Sequence, residues 1–322
     1  MGGIDVVVPC YQYGRFLTEC VNSILSQPVE GLRVLIVDNG STDNTLEVAK
    51  EIADGDSRVQ ILAYKTNRGQ HASYNAGIDW ASSEFFMILD ADDVMAPGCL
   101  SRTVDVLSGD EAIAFAHGKE LETDLPAAVM SDLDGKSQPT DWRVSPGRDF
   151  IDRMCQAGNN IVGATTVVRR TGMQKIVGYY PAQLERANDL NMWLRLATLG
   201  NVAETEAVQG VRRRHANQLS EFYRDRLICD FMELSNNFEH FFRNEGGSIQ
   251  RSNDARRAAK RKIAGNALVA GVKRFLKGRV AESGELVDFA FSAWRRSPDD
   301  PPFTVPGGER IHASSSPQRE FA

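Results

Sequence analysis

Three aspartates, Asp90, Asp92 and Asp93, follow directly on the apolar run Phe85–Leu89 in the stretch MILDADDVMAPG, residues 87–98. Ionised carboxylates this close repel one another, and a strand end gains no stability from them. Hard divalent cations such as Mg²⁺ or Mn²⁺ prefer carboxylate oxygens. They commonly take one or two from the protein and the rest from substrate phosphates. A bound cation removes the repulsion. Capping of the next helix accounts for one or two of the three residues, not for all of them. The pattern therefore points to a cation and a phosphorylated ligand.

The elements around this cluster place it on one edge of a sheet. Short apolar runs at Ile4–Val8, Val34–Val37, Val59–Ala63 and Phe85–Leu89 alternate with amphipathic stretches at Phe16–Gln27, Thr45–Ala53, His71–Ala81 and Leu100–Leu107. This alternation predicts a doubly wound, mostly parallel sheet, buried on both faces and flanked by helices. Each run ends in a polar cluster: Pro9-Cys10-Tyr11-Gln12, Asp38-Asn39-Gly40-Ser41, Thr66-Asn67-Arg68-Gly69 and Asp90-Ala91-Asp92-Asp93. Open α/β sheets bind ligands outside the carboxyl ends of their strands, so four such clusters predict one site. No Gly-x-Gly-x-x-Gly follows the first run and no Gly-x-x-x-x-Gly-Lys-Ser/Thr occurs. A dinucleotide fingerprint and a triphosphate loop are thereby excluded.

The chain of 322 residues, with 42% hydrophobic and 25% charged residues, is ordinary for a globular protein of more than one structural unit. A net charge of −6 argues against a nucleic-acid partner. The five cysteines (Cys10, Cys20, Cys99, Cys155, Cys229) are scattered, with no Cys-x-x-Cys pair, and suit reduced thiols in a cytoplasmic protein. No membrane-spanning run or signal-peptide pattern is evident. Beyond the first half, Ala112–Ala116 and Ile161–Arg169 read as strands on either side of a polar stretch, Ser131–Gly147. Asp189–Leu199 reads as a helix ended by Gly200. After residue 220 the periodicity is helical throughout, with Leu227, Phe231, Leu234, Phe238 and Phe241 on one stripe and Leu268, Val272 and Phe275 on another.

The blocks VVVPCYQYGRFLTECVNSILSQ, VLIVDNGSTDNT, NRGQHASYNAGI and FFMILDADD, in this order, resemble the signature blocks of the family-2 inverting glycosyltransferases. The resemblance covers residues 4–220. It implies a GT-A fold, a nucleoside-diphosphate sugar donor (a UDP-sugar first), a Mn²⁺ or Mg²⁺ cofactor, and transfer to an acceptor hydroxyl with inversion. It further implies that Pro9, Tyr11, Asp38, Asn39, Asn67, Arg68, Gly69, Asn75, Asp90 and Ala91 contact the donor. Asp90 would lie at the ribose, and Asp92 and Asp93 at the metal. Gln12 and Asn39 stand where the family usually has Asn and an acid, and Asn39 loosens the assignment of the base. The segment LERANDLNMWLRLATLG resembles the acidic helix-start motif and assigns Asp189 as general base, a residue that equally suits a helix cap. VRRRHANQLS resembles a segment that closes over the diphosphate, with His215 as a further metal ligand and Arg212 to Arg214 against the leaving group.

These readings divide the chain into a nucleotide-sugar-binding half (1–115), an acceptor-binding half (116–220), a helical region (221–295) and a disordered tail (296–322). The acceptor would be a glycan, a lipid-linked sugar or a peptide. The basic cluster Arg256, Arg257, Lys260, Arg261 and Lys262 suits peripheral contact with the inner face of a membrane, and the C-terminal helices suit self-association. Two other classes stay open at this level. One is an inactive nucleotide-sugar-binding scaffold. The other is a sugar nucleotidyltransferase, which lacks support because no Gly-rich basic loop follows Val8.

Overall fold

The computed structural model describes residues 2–134, 138–160, 162–163, 166–184, 188–215, 227–297 and 299–305. Ile161, Glu185, the end of the VRRRHANQLS segment and the tail from 306 onward lie outside them. The first half runs β1 (Ile4–Cys10), α1 (Gly14–Leu25), β2 (Leu32–Asp38), α2 (Thr45–Gly55), β3 (Val59–Ala63), α3 (Gln70–Trp80), β4 (Phe85–Ile88), β5 (Val94–Met95) and α4 (Cys99–Gly109). Then follow β6 (Ile113–Thr123), α5 (Pro126–Asp134), β7 (Arg143–Ser145), α6 (Gly147–Ala157), β8 (Val168–Arg170), α7 (Thr171–Val177), α8 (Asn188–Leu196) and β9 (Asn201–Arg213). Three helices close the described chain: α9 (Leu227–Arg243), α10 (Ser252–Leu276) and α11 (Val280–Arg295).

One mixed sheet, in the order β3-β2-β1-β4-β8-β6-β9-β5 with β7 also paired to β9, passes through the molecule. Strands β3, β2, β1 and β4 are mutually parallel, β8 is antiparallel to both β4 and β6, and β6 runs parallel to β9. The central strands are covered on both faces: Val6, Val7, Val8, Leu35, Ile36 and Met87 are all fully buried. Hence they read in sequence as unbroken apolar runs rather than as alternation. Helix α1 buries Leu17, Cys20, Val21 and Ile24, the stripe its spacing predicts. The chain leaves β1 for β2 on one side and returns to β4 on the other. The carboxyl ends of β1 and β4 therefore flank the point where strand order reverses, and the register pairs Val7 with Ile88 there.

The second half differs from the sequence reading in three places. The strand expected over 161–169 is confined to Val168–Arg170 within the described residues. Strand β6 runs on to Thr123, seven residues beyond Ala116, and its outer part is half-exposed, which mixes charge into the pattern. The 13-residue β9 and the helices α5, α6 and α7 are additional to the elements read from the sequence. The helical reading beyond 220 agrees with α9 to α11. However, Leu268, Val272 and Phe275 lie on the surface, not in the core. All five cysteines are buried and free. No helix of the described residues is long and apolar enough to cross a membrane.

Candidate active site

At the reversal point the strand-end clusters meet. Gln12 adopts a left-handed backbone (φ 61°), uncommon for a residue with a side chain. This turns its amide onto the loop after β2: Nε2 donates to Thr42 Oγ1 (2.8 Å), and Oε1 accepts from the backbone N–H of Asp43 (3.0 Å). Asp38, buried, accepts the Ser41 N–H (3.1 Å). Asn39 is buried too, and its amide is committed within the protein. Nδ2 donates to Asn67 Oδ1 and to the Gly69 carbonyl (both 3.1 Å), while Oδ1 accepts the Arg68 N–H at 2.9 Å. Gly69, at φ 80°, forms the cap of α3. The Arg68 guanidinium stacks over Tyr64 at 4.3 Å. Pro9 is half-buried, and Tyr11 stands exposed at the rim.

The three aspartates separate in their surroundings. Asp90 keeps a narrow opening to solvent but is closely enclosed, and accepts a hydrogen bond from Tyr74 Oη (3.3 Å). Burial first, then the charges of Asp92 and Asp189, push its carboxyl up to about 7, against the pull of Tyr74 and Arg212. Asp93 is turned inward and accepts the Arg213 N–H at 2.9 Å, and burial together with Asp92 and Asp90 raises it well above the usual range. Ala91 is fully buried between them. Asp92 Oδ2 lies 3.0 Å from Nε2 of His215. The imidazole is held by Phe16 at 4.7 Å and edge-on by Tyr13 at 5.6 Å. Arg213 steadies the turn, donating from Nε to the Asp92 carbonyl (2.9 Å) and pairing with Glu19.

The Asp92–His215 pair presents one carboxylate oxygen and one imidazole nitrogen, a donor set that suits Mn²⁺ and is compatible with Mg²⁺. Among the described residues no group of three or more His, Cys, Asp or Glu side chains could hold a metal without further ligands. Such a two-donor corner fits a metal whose remaining positions are filled by a diphosphate and water.

Across the cleft, Asp189 occupies the first turn of α8. The start of that helix is tied to α3 by Asn188 Nδ2 and His71 Nε2, 2.8 Å apart. Asp189 and Asp90 line one small cleft together with Tyr74, Ile88, Arg169, Tyr180 and Trp193. Burial raises the Asp189 carboxyl to about 6, with Arg169 opposing, Glu120 adding to the rise and Arg212 also opposing. Arg169 is almost wholly buried. It donates to Gln174 Oε1 (2.8 Å) and Tyr180 Oη (3.1 Å), and its guanidinium lies over Phe86 and Trp193 at 4.8 and 5.0 Å. A buried guanidinium beside a buried carboxylate keeps the latter ionisable near neutrality.

Besides Asn39, further residues expected at the donor side are engaged elsewhere. Asn75 holds the backbone of Tyr180, accepting its N–H at 2.9 Å. Arg214 pairs with Glu122 (3.3 Å), whereas Arg212 lies near enough to Asp90 and Asp189 to lower both. Arg213, expected against the leaving group, instead braces the turn through Glu19 and the Asp92 carbonyl, and sequence reasoning missed Tyr74, Arg169 and Tyr180. Tyr74 was open to inspection, one residue before Asn75 on a predicted helix. Arg169 carried no local signal, because its role depends on β8 inserting beside β4.

A mostly parallel sheet with carboxylates at its reversal point, continued by an antiparallel segment, is the fold of GT-A type transferases, and solved structures of that type share it. S. aureus TarS in complex with UDP-GlcNAc matches with a TM-score of 0.56 at 14% identity, over 91% of this chain and 90% of that one. The mannosyltransferase PcManGT of Pyrobaculum calidifontis, in complex with GDP-Man and Mn²⁺, matches with a TM-score of 0.56 at 15% identity, over 91% and 87%. The sequence points to the same class: residues 5–132 match the model of glycosyl transferase family 2. An uncharacterized glycosyltransferase of Haemophilus influenzae is 27% identical over 222 residues, 68% of each protein. The chain spans 46% and 31% of the length of two further curated relatives.

Proposed function

We propose that the chain is a metal-dependent, inverting glycosyltransferase that moves a sugar from a UDP-sugar to an acceptor hydroxyl. One observation carries the reading. Asp90, from the strand-end cluster, and Asp189, 99 residues later, face one cleft beside the Asp92–His215 corner. The match of residues 5–132 to the model of glycosyl transferase family 2, and the nucleotide sugars bound by TarS and PcManGT, support the donor class.

In this reading the nucleoside lies across the ends of β1, β2 and β3. Asp38 and the Asn67–Gly69 loop line its seat, while Asn39 acts through that loop. Asp90 receives the ribose. Asp92 and His215 would hold Mn²⁺ or Mg²⁺, which when bound supplies Lewis-acid neutralisation of the diphosphate leaving group. Arg212 adds fixed positive charge on the same side. Asp189 takes the proton of the acceptor hydroxyl as it attacks the anomeric carbon from the opposite face. At about 6 its carboxyl is ionised at neutral pH yet basic enough to accept a proton. Asp189→Asn keeps the size and hydrogen-bonding reach of the side chain but cannot take the proton.

The expected result is that the wild type with Mn²⁺ releases UDP from a UDP-sugar, and that Asp189→Asn loses about 10²- to 10⁴-fold in turnover. Its affinity for UDP, read by calorimetry, stays unchanged. Turnover of GDP-mannose in preference to every UDP-sugar tried would overturn the choice of base. Undiminished turnover by Asp189→Asn would overturn the catalytic assignment.

A further inference from the structure

The helical hairpin formed by α10 and α11 leaves a large apolar face uncovered. Eight of the fourteen exposed large hydrophobic residues among the described residues lie on these two helices, with exposures from 41% at Leu268 to 78% at Leu276, and six of the eight fall on two narrow stripes. Contiguous exposed apolar surface on this scale marks an interaction site, not ordinary surface scatter.

The spacing on each helix is that of a helix-pairing seam. On α11, Val280, Gly284, Val287, Phe291 and Trp294 follow at alternating intervals of four and three residues. On α10, Gly265, Leu268, Val272 and Phe275 follow at intervals of three, four and three. A stripe this narrow fits another helix set along it. The two stripes adjoin. A Cβ on Gly271 would lie 3.1 Å from Val287 Cγ2, so Val287 faces the side of α10 marked by Gly271. Leu268 and Phe275 flank Gly271 by one turn on that same side.

Charge selects the occupant. Exposed Lys273 and Lys277 border the α10 stripe on the edge away from α11, and exposed Glu285 and Asp288, followed two turns on by exposed Arg295, border the α11 stripe on the edge away from α10. An anionic lipid surface would attract Lys273, Lys277 and Arg295 but meet the two acids with repulsion, leaving one edge unsatisfied. A second copy related by a two-fold axis along the hairpin would not. That operation sets α10 antiparallel to the partner's α11 and brings the basic edge of one copy against the acidic edge of the other, twice by symmetry. The basic cluster nearer the start of α10 is largely occupied within the protein. Arg256 pairs with Glu239, Arg257 pairs with Asp254, and Lys260 donates to the Arg296 carbonyl.

We infer that the α10–α11 hairpin is a self-complementary dimer interface, in which two hairpins pack as a four-helix unit with opposite charges aligned along both edges.

The test is sedimentation velocity of the full chain at micromolar concentration. The wild type should run at twice the chain mass. Phe275→Asp with Trp294→Asp, both at exposed positions, should run as a folded monomer with an unchanged circular dichroism spectrum. Lys273→Glu with Lys277→Glu should weaken dimerisation about tenfold, since each of four exposed edge pairs contributes a fraction of a kcal/mol. Adding Glu285→Lys and Asp288→Lys to that variant should restore it. A wild-type chain that stays monomeric, or a charge-reversed quadruple variant no tighter than the double, would overturn the inference. So would a monomer that binds phosphatidylserine vesicles through this face.

Discussion

Asn39 stands where the resembled family carries an acid, and the structure supplies a reason for the amide. Its Nδ2 has two acceptors, Asn67 Oδ1 and the Gly69 carbonyl, and a carboxylate could serve neither. Asn39→Asp would set a buried anion against two oxygens. It should cost about 1–3 kcal/mol and lower the melting temperature, with loss of UDP affinity following from the displaced loop. A thermal melt matching the wild type would show that the amide does not hold the loop. At Asp189 the expected signature is kinetic. The carboxyl must be ionised to act, and its pKa is raised to about 6. Hence kcat/KM should be flat above neutrality and fall on the acid side of about pH 6, close to tenfold per pH unit. The residual activity of Asp189→Asn should lack that limb, and a wild-type profile without it would remove Asp189 as the base. Both residues were visible in sequence because each sits in a block of recognisable pattern. Arg169 was not, since what gives it chemistry is burial beside Asp189, brought about by strands far apart in the chain.

At the scale of elements, legibility followed burial. Strands β1, β2 and β4 announce themselves because they are covered on both faces. β9 does not, since Glu204, Glu206 and Arg212 interrupt its apolar positions and its neighbours β6 and β5 arrive from elsewhere. Helix α6 was readable in hindsight, with Phe150, Ile151, Met154 and Cys155 on one buried face. The element with most influence on the site is α3, which carries Tyr74 and Asn75 and lies over β1 at Gly77. A Cβ on Gly77 would come within 2.7 Å of Val7 Cγ1 and 2.8 Å of Val7 Cγ2. Both residues are buried, so Gly77→Ala forces α3 outward or Val7 from its rotamer, at about 1–3 kcal/mol. Thermal denaturation should show that loss, and turnover should fall as Tyr74 shifts from Asp90. Adding Val7→Ala should recover part of both. Gly77→Ala with wild-type stability would mean the contact is slack.

For the whole molecule, the spread of the site over β1, β2, β4, α8 and the end of β9 makes ligand binding a global event. The proposed metal corner formed by Asp92 and His215 has, among the described residues, too few protein donors to hold a cation firmly by itself, and in the proposed binding mode UDP alone would leave its diphosphate charge facing Asp90 and Asp92. Each ligand therefore supplies what the other lacks, which is thermodynamic coupling between two sites. Differential scanning calorimetry should show little change in Tm with Mn²⁺ alone or UDP alone. With both present, at about one hundred times the dissociation constant, the stabilisation should approach 2.7 kcal/mol. Chelation should abolish the joint shift without lowering the Tm of the free protein, because the cation is not part of the folded core. Asp92→Asn should lose the coupling while keeping the residual response to UDP. If Mn²⁺ alone stabilised the chain as much as the pair does, the cation would be held by the protein's own side chains, and the shared-ligand picture of the Asp92–His215 corner would be wrong.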